Sequence, residues 1–267
     1  MFRAIKNLYF FISGQVGLLR FARNDVYFLS LRLKSQSKMT PRDKALLDFL
    51  YQFLTDERKE RFEEVLSWRT RHLTVVLEDI FQPHNASAVL RSCDLTGVQD
   101  IHIIENNYTF DVNPDVVMGS TKWLDIRRYN ELDFNTPVVL DQLKAKGYQI
   151  VATCPHQDDY SPETLPLDKP IALVFGTEKT GITDYVMEHA DKFVKIPMYG
   201  FTESFNISVS AALLVYTLTQ RLHQMNDVNW HLSEEEKDEA RLEWARRTLN
   251  RIRQYERKFK ELHPEFG

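Results

Sequence analysis

Short apolar segments alternate with helical segments through the middle of the chain, and this alternation constrains the fold more than any other feature. The segment LTVVLEDI, at 73–80, is a β-branched run without the polar alternation of a half-exposed strand. Segments of the same kind are IHIIE, YQIVATC, IALVFG and FVKIPM, at 101–105, 148–154, 171–176 and 193–198. Strands buried on both faces occur in parallel sheets covered by helices. The pattern therefore predicts an α/β domain with a mostly parallel sheet and helices on both of its faces.

Helical segments separate these predicted strands. HNASAVLRSCDLTGV is ended by Gly97, VVLDQLKAKG is ended by Gly147, and a long apolar helix runs from about Ile207 to Leu222. Parallel sheets of this kind collect their ligands at the carboxyl ends of the strands. We therefore expect the functional site in the loops that follow the strands.

Helices are also predicted in the chain segments that precede and follow the α/β domain. Apolar residues recur at helical spacing between 40 and 71, and Thr40 followed by Pro41 is typical of a helix start. Ser233 and Glu236 predict a capping box at the start of one charged helix that continues to Phe259. The chain then divides into an N-terminal extension of unknown role, a helical region, the α/β domain and a C-terminal helical extension, at 1–38, 39–72, 73–222 and 223–267.

The distribution of charge is more informative than the formal net charge of −4. Asp25 is the only acidic residue among residues 1–38, and Glu256 is the only one from 246 to 260, although both stretches contain several Lys and Arg. Each basic end is either a patch that binds nucleic acid or a solvated helix face.

Cysteine and histidine usage gives no sign of a metal or a disulfide framework. Cys93 and Cys154 are far apart, and the histidines are scattered without metal-ligand spacing. The apolar stretch NLYFFISGQVGLLRFA is interrupted well short of the roughly 20 residues that cross a bilayer. We therefore expect a cytoplasmic protein without a membrane segment or a metal. For residues 1–38 three interpretations stay open: a loose extension, a stretch before a working start at Met39, and a signal peptide.

The segment LVFGTEKTGIT, at 173–183, looks like a phosphate-binding loop that lacks its key residue. Gly176 and Gly181 have the spacing of such a loop and Thr183 occupies the place of a Mg²⁺-binding hydroxyl, but Ile182 stands where lysine would neutralise the β- and γ-phosphates. We therefore do not expect NTP hydrolysis. The two glycines still allow the backbone to approach a ligand closely, and a ligand without a triphosphate needs no lysine.

Four polar residues at predicted helix starts and faces have two interpretations each. Asn85, Ser204 and Asn206 are either helix caps or site residues. Arg91 stands on an otherwise small and apolar face, ASAVLRSC, so it is either a buried ion-pair partner or a site residue directed at an anion. Glu178 in the glycine loop is a candidate partner for Arg91.

Three segments together carry a family resemblance. PHNASAVLRSCDLTGV, ALVFGTEKTGIT and IPMYGFTESFNISVSAALLVY resemble, in order, spacing and residue type, the three motifs of the SPOUT-class RNA 2′-O-methyltransferases. The second contains the G-x-E-x-x-G of that class, and the third contains its S-x-N-x-S. The flanking SWRTRHLTVVLEDI, GSTKW and HLSEEEKDEARLEWA resemble the tRNA (guanosine-2′-O)-methyltransferases within it. The resemblance extends over roughly 68–253.

The resemblance implies a SPOUT fold, with a trefoil knot in the C-terminal part of the domain, and a homodimer with its site near the subunit interface. It implies S-adenosyl-L-methionine as cofactor, whose cationic sulfonium and neutral adenosine suit an isoleucine where a nucleotide loop has lysine. The implied catalytic residues are Asn85, Arg91, Glu178, Ser204 and Asn206. The implied cofactor contacts are Thr153, Gly176, Ile196 and Phe205, the last of which departs from the usual leucine.

The implied reaction is methyl transfer to the ribose 2′-OH of a guanosine in tRNA, namely guanosine 18 of the D loop. Arg91 either takes the hydroxyl proton or holds phosphate and stabilises the developing alkoxide, because a free guanidinium is a poor base at neutral pH. Basic side chains that neutralise phosphates give salt-dependent affinity. On that ground we expect RNA contacts from Arg69, Arg71, Lys122, Arg246, Arg247, Arg251 and Arg253. The alternatives are the same chemistry on ribosomal RNA and an RNA-binding protein with an inactive site.

Overall fold

The computed structural model describes residues 8–12, 15–19, 39–157 and 159–266. The strands β1 (Leu8–Ile12) and β2 (Gln15–Leu19) pair in an antiparallel arrangement. The other positions of the N-terminal extension lie outside the described residues, and so does the choice among its three interpretations.

A six-stranded sheet forms the centre of the molecule. Its strands are β3 (Leu73–Glu78), β4 (Asp100–Ile104), β5 (Asp125–Tyr129), β6 (Gln149–Thr153), β7 (Ile171–Phe175) and β8 (Lys192–Val194). The strand order is β5-β4-β3-β7-β6-β8, and every neighbouring pair is parallel. The strands β3, β4 and β7 are buried along their whole length. The predicted parallel α/β sheet is therefore confirmed.

Helices cover both faces of this sheet. They are α3 (Pro83–Thr96), α4 (Pro114–Val117), α5 (Thr136–Ala145), α6 (Asp184–His189) and α7 (Ile207–His223). On one face, α3 and α7 contact each other and bury Leu77 and Leu173. On the other face, α5 and α6 bury Val76 and Val174. Alternate residues of β3 and β7 thus enter two separate cores, which explains why the strands are apolar throughout.

The helices that precede and follow the α/β domain in the sequence share one core. They are α1 (Pro41–Tyr51), α2 (Asp56–Leu66), α8 (Glu234–Thr248) and α9 (Ile252–Leu262). Leu50 and Phe62 from the first pair join Trp244 and Phe259 from the second in a single buried cluster. The helical region at 39–72 and the C-terminal helical extension are far apart in the sequence, but they therefore pack together in the fold.

Both predicted helix starts are confirmed. Thr40 forms a capping box with Asp43, with Pro41 at the first helical position. Ser233 forms a capping box with Glu236 at the start of α8. Each box supplies acceptors for backbone N–H groups that have no partner within the helix.

The structure differs from the sequence prediction in several elements, and one of them is β5, a strand that the sequence analysis does not predict. The strand expected at 193–198 ends at Val194. The predicted single tail helix is interrupted before Ile252, where Arg251 has a φ of 64° in the left-handed region. The interruption turns α9 back against α1, so that Tyr255 and Phe259 contact Phe53 and Phe49.

Strand order and register do not by themselves establish a trefoil knot, which stays a prediction. Within the described ranges, no helix has the length and apolar character needed to cross a membrane.

Candidate active-site cleft

A cleft of about 660 Å³ lies at the carboxyl ends of β6, β7 and β8. Its walls come from the loops that follow these three strands and from the first turns of α7. This is the edge at which parallel sheets bind ligands. The four residues that the sequence predicts as cofactor contacts all line it, namely Thr153, Gly176, Ile196 and Phe205.

The glycine loop forms one wall of the cleft and closes on itself. Thr177 and Gly181 exchange two backbone hydrogen bonds, of 2.9 and 3.1 Å, and Gly181 has a φ of 73°. A Cβ atom on Gly176 would lie 2.2 Å from the carbonyl carbon and oxygen of Gly181. The sequence attributes these glycines to close approach by a ligand, but the loop's own closure already requires glycine at 176.

Glu78, at the end of β3, anchors the far side of this loop. Its buried carboxylate accepts hydrogen bonds of 3.0 Å from both the backbone N–H and the hydroxyl of Thr183, and one of 2.5 Å from Thr136. Thr183 also caps α6. The residue in the place of a Mg²⁺-binding hydroxyl is thus a structural cap. Sequence reasoning missed Glu78, although acidic residues at the end of a buried strand, here Glu78 and Asp79, are a usable signal.

A cluster of three polar side chains lies at the edge of the cleft. The side-chain amide of Asn85 donates a hydrogen bond of 2.7 Å to the Glu178 carboxylate. The amide of Asn206 donates one of 3.3 Å to the Asn85 side-chain oxygen. We call Asn85, Glu178 and Asn206 the polar cluster. The structure thus brings together one predicted catalytic residue from each of the three motifs, and Ser204 lines the same cleft.

Asn206 is both the N-cap of α7 and a member of the polar cluster. Its side-chain oxygen accepts hydrogen bonds of 2.8 and 2.6 Å from the backbone N–H and hydroxyl of Ser208, as an N-cap does. With the oxygen fixed there, the amide nitrogen faces Asn85. Asn85 itself is not a cap, because the N-cap of α3 is Gln82.

Arg91 lies apart from the polar cluster within one chain. It is exposed on α3, one turn before Leu95, which is 76% exposed. Among the described residues, no hydrogen bond or ion pair joins it to Glu178, whose partner is Asn85. The predicted Arg91–Glu178 pair is therefore wrong for the single chain.

Two arginines predicted to bind RNA have structural roles instead. The Arg69 guanidinium is 1% exposed, forms an ion pair with Asp94 and donates to the Val98 carbonyl at 3.1 Å. Burial lowers the pKa of Arg69, and the Asp94 carboxylate opposes this shift. Arg71 is bound by Asp100 and Asp125 at 3.3 and 2.8 Å. The RNA prediction is wrong for Arg69, because RNA cannot reach a buried group, and Arg71 is largely occupied by carboxylates.

The remaining predicted RNA contacts divide into two groups. Arg246 forms ion pairs with Glu243 and Glu256, and Arg247 donates to the carbonyls of Lys122 and Leu124. By contrast, three side chains are exposed to solvent. They are Lys122, Arg251 and Arg253.

The fold and the cleft define the class of protein to which the chain belongs. The chain is a parallel α/β protein with a ligand cleft at the carboxyl edge of its sheet and a cluster of carboxylate and amide groups beside a glycine loop. The chain belongs to the SpoU rRNA Methylase family, whose family model matches residues 72–216. The resemblance that the three motifs indicate is therefore confirmed.

Individual relatives agree with this assignment. The tRNA (guanosine(18)-2'-O)-methyltransferase of Borreliella burgdorferi is 44% identical over 200 residues, which cover 75% of this chain and 89% of that protein. The crystal structure of the Aquifex aeolicus TrmH/SpoU tRNA modifying enzyme superposes with a TM-score of 0.65 at 30% identity, over 73% of this chain and 98% of that one.

A more distant structure shares the fold. The SpoU methyltransferase AviRb from Streptomyces viridochromogenes, solved in complex with the cofactor AdoMet, has a TM-score of 0.51 at 22% identity. The match covers 60% of this chain and 62% of that chain.

Proposed function

We propose that this protein transfers a methyl group from S-adenosylmethionine to the ribose 2′-OH of a guanosine in tRNA. The observation that carries the proposal is the polar cluster at the edge of the glycine-loop cleft, in a chain with close relatives named tRNA (guanosine(18)-2'-O)-methyltransferases. On the same ground, guanosine 18 is the proposed target.

The cleft fits the proposed cofactor in size and in chemistry. Its volume lies within the roughly 300–1,000 Å³ of small-molecule sites. Ile196, Phe205 and Leu214 offer apolar surface suited to an adenosine group, and the closed glycine loop offers backbone polar groups. The Glu178 carboxylate gives the cleft a negative group that would suit a sulfonium cation. The cofactor, when bound, supplies an activated methyl group on that sulfonium.

The chain's own contribution is alignment. An activated methyl donor leaves the protein the task of placing the 2′-hydroxyl in line with the sulfur–methyl bond, which is a large part of the barrier in such reactions. Asn85 and Asn206 are held by Glu178 and by the cap of α7, so their amides keep a fixed direction. We assign these residues, with Ser204, to binding and orienting the target ribose.

Arg91 is proposed to act at a site that a second subunit completes. The outer side of α7 exposes Val209, Leu213 and Tyr216, which are spaced as one helical stripe, and α3 exposes Leu95 beside Arg91. Contiguous exposed apolar residues of this kind mark interaction surfaces. We propose that this surface, the α3/α7 face, forms a homodimer and carries Arg91 to the partner's cleft.

The proposed RNA surface is the exposed side of α9 together with Lys122. Arg253, Arg257 and Lys260 are exposed and spaced as one helical stripe, next to the exposed Arg251. Such a stripe can neutralise several phosphates of one strand. The contribution of Arg246 and Arg247 is then to position α8 and α9.

The experiment is incubation of labelled S-adenosylmethionine with an unmodified tRNA transcript and, in parallel, with a ribosomal RNA transcript, followed by mass-spectrometric mapping of the ribose methyl group. The expected result is one methyl group on guanosine 18, absent with Asn206→Ala. Methylation of the ribosomal RNA alone would show that ribosomal RNA, and not tRNA, is the substrate. Cofactor binding without transfer to either RNA would contradict the proposal.

A further inference from the structure

Two exposed aromatic rings lie on the loops that follow β3 and β4, close in the fold to the start of α3, which carries Asn85. Phe81 is 58% exposed and Tyr108 44%, with ring centroids 5.0 Å apart and planes at 64°. Phe81 lies between β3 and α3, just before Asn85, and Tyr108 follows β4, the neighbour of β3. We call Phe81 and Tyr108 the aromatic pair. It lies at the ends of β3 and β4, whereas the cleft lies at the ends of β6, β7 and β8.

The loop that carries Tyr108 is held by a strained, buried aspartate. Asp79 has a φ of 55°, in the left-handed region that costs a non-glycine residue energy. One of its carboxylate oxygens accepts the backbone N–H groups of Asn106, Asn107 and Tyr108, at 2.7, 2.8 and 3.4 Å. Its other oxygen accepts the Asn107 side chain at 2.7 Å. This buried group therefore fixes the backbone below an exposed ring.

A second set of bonds holds the same loop from the side of α5. The Asn106 amide donates to the Thr136 hydroxyl at 2.9 Å, and its oxygen accepts the Asn135 N–H at 2.7 Å. Thr136 in turn donates to Glu78, which anchors the glycine loop. The backbone that carries Tyr108 and the glycine loop are thus bonded to one hydrogen-bonded framework.

We propose that the aromatic pair stacks on an unpaired base of the RNA substrate, either the base of the target nucleotide or one next to it. The inference rests on the proposed RNA methyltransferase function. Unpaired bases are turned out and stacked on aromatic side chains in RNA recognition. An uncharged, exposed pair of rings on the segment just before Asn85 has the chemistry for such a base, and it would place the attached ribose beside the polar cluster.

A base is a better occupant than a second copy of this chain. The exposed apolar residues assigned to the dimer are on α7 and at the far end of α3, around Leu95. Pro83, next to Phe81, begins α3, so helix rise alone separates the pair from Leu95 by about 18 Å. The aromatic pair is therefore separated from the part of the α3/α7 face that α3 contributes.

The test measures the affinity of unmodified tRNA transcripts for the wild-type protein and for Phe81→Leu. Stacking of one base on an aromatic side chain corresponds to roughly 5- to 150-fold in affinity, so we expect a loss of that order for Phe81→Leu. Phe81→Trp keeps a flat ring and should bind as the wild type does. Phe134→Leu is the matched control, since Phe134 is an exposed ring paired with Tyr185.

The base is identified with three further transcripts, abasic at the target nucleotide or at either neighbour. On one of them, wild type and Phe81→Leu should bind equally, because the stacked base is missing. The inference is overturned if Phe81→Leu binds the intact transcript like the wild type, or loses the same factor on every abasic transcript. A loss explained by dimer dissociation in sedimentation would also overturn it, in favour of a protein contact.

Failure of the proposed function has a different signature. Wild-type protein that transfers no methyl group to any transcript would contradict the function, whereas the affinity comparison depends only on RNA binding. Circular dichroism of each variant shows whether the exposed substitutions leave the fold intact.

Discussion

Asn85 and Glu178 form a hydrogen bond of 2.7 Å across 93 positions of the chain. The bond joins the first turns of α3, which follows β3, to the glycine loop, which follows β7. Because β3 and β7 are neighbours in the sheet, a contact so distant in sequence forms between adjacent loops. It fixes a carboxylate at the mouth of the cleft and a buried amide beside it.

Glu178 contributes a negative charge and a hydrogen-bond acceptor for Asn85, and two substitutions should separate these roles. Glu178→Gln retains an oxygen that can accept from Asn85, whereas Glu178→Ala removes both the charge and the bond. We expect turnover to fall by roughly 10-fold for the first and at least about 100-fold for the second, the scale on which lost transition-state contacts act. Single-turnover methylation measures both. Equal losses would show that the hydrogen-bonded geometry depends on the charge, and Glu188→Gln, on the exposed side of α6, is the control.

Gly176→Ala should weaken cofactor binding. The new Cβ atom would meet the Gly181 backbone at 2.2 Å, so the loop would have to open. Isothermal titration with S-adenosylmethionine should show at least a 10-fold weaker Kd, because several backbone contacts depend on the loop. Gly200→Ala is the matched control, since its Cβ meets nothing nearer than 4.0 Å. Retained affinity in Gly176→Ala would contradict the role of the closed loop.

A mixture of two inactive variants should test whether Arg91 acts across subunits. Arg91→Ala and Glu178→Ala are each expected to be nearly inactive as homodimers. If each site takes Arg91 from one subunit and Glu178 from the other, a mixed dimer keeps one intact site. Random mixing then restores about one quarter of wild-type sites, which co-expression and a methylation assay would detect. No recovery, with mixed dimers present, would place Arg91 and Glu178 in the same subunit's site.

Acid should destabilise the fold partly through His102. Burial, with the charges of Arg127 and Lys146, lowers the pKa of His102 to about 3 from its ordinary 6.5. Between those values the unfolded chain binds a proton that the folded chain does not, so stability from this group falls as pH falls. The expected slope is about 1.4 kcal/mol per pH unit. Urea unfolding of wild type and His102→Gln from pH 7 to 4 measures it, and parallel curves would contradict the prediction.

Salt should weaken RNA binding steeply and leave cofactor binding almost unchanged. Arg253→Gln removes an exposed cation from the α9 stripe, and we expect it to reduce the slope of log affinity against log salt by about 1. Arg69→Met is the contrasting variant, because it removes a buried ion pair and should lower stability instead. Filter binding and cofactor titration across salt concentrations provide the comparison. Equal salt sensitivity of tRNA and cofactor would reject the proposed surface.

Sequence patterns predicted the features that depend on local composition. The uninterrupted apolar strands indicate burial on both faces of the sheet, and Thr40 and Ser233 indicate where two helices begin. The motifs then placed Asn85, Glu178 and Asn206 together, which periodicity alone does not do. The interruption at Arg251 was missed because it depends on the packing of α9 against α1, which no local signal carries.

Basic residues were the least predictable part of the site. A positive charge in sequence suggests a phosphate contact, but Arg69 is buried against Asp94 and Trp244, and Arg247 binds backbone carbonyls. Their partners come from distant segments, so only the fold distinguishes a structural arginine from an exposed one. Arg91 shows the opposite case, since its exposure on α3 acquires a role only in the proposed homodimer.

The shared core of the end helices has a consequence for synthesis. The helices α1 and α2 leave the ribosome before the sheet exists, while α8 and α9 are made after it. Leu50 and Phe62 therefore lack Trp244 and Phe259 until α8 and α9 have been made. The shared core can form only after α8 and α9 have been made, and a nascent chain stalled after α7 would present α1 and α2 without their packing partners to chaperones.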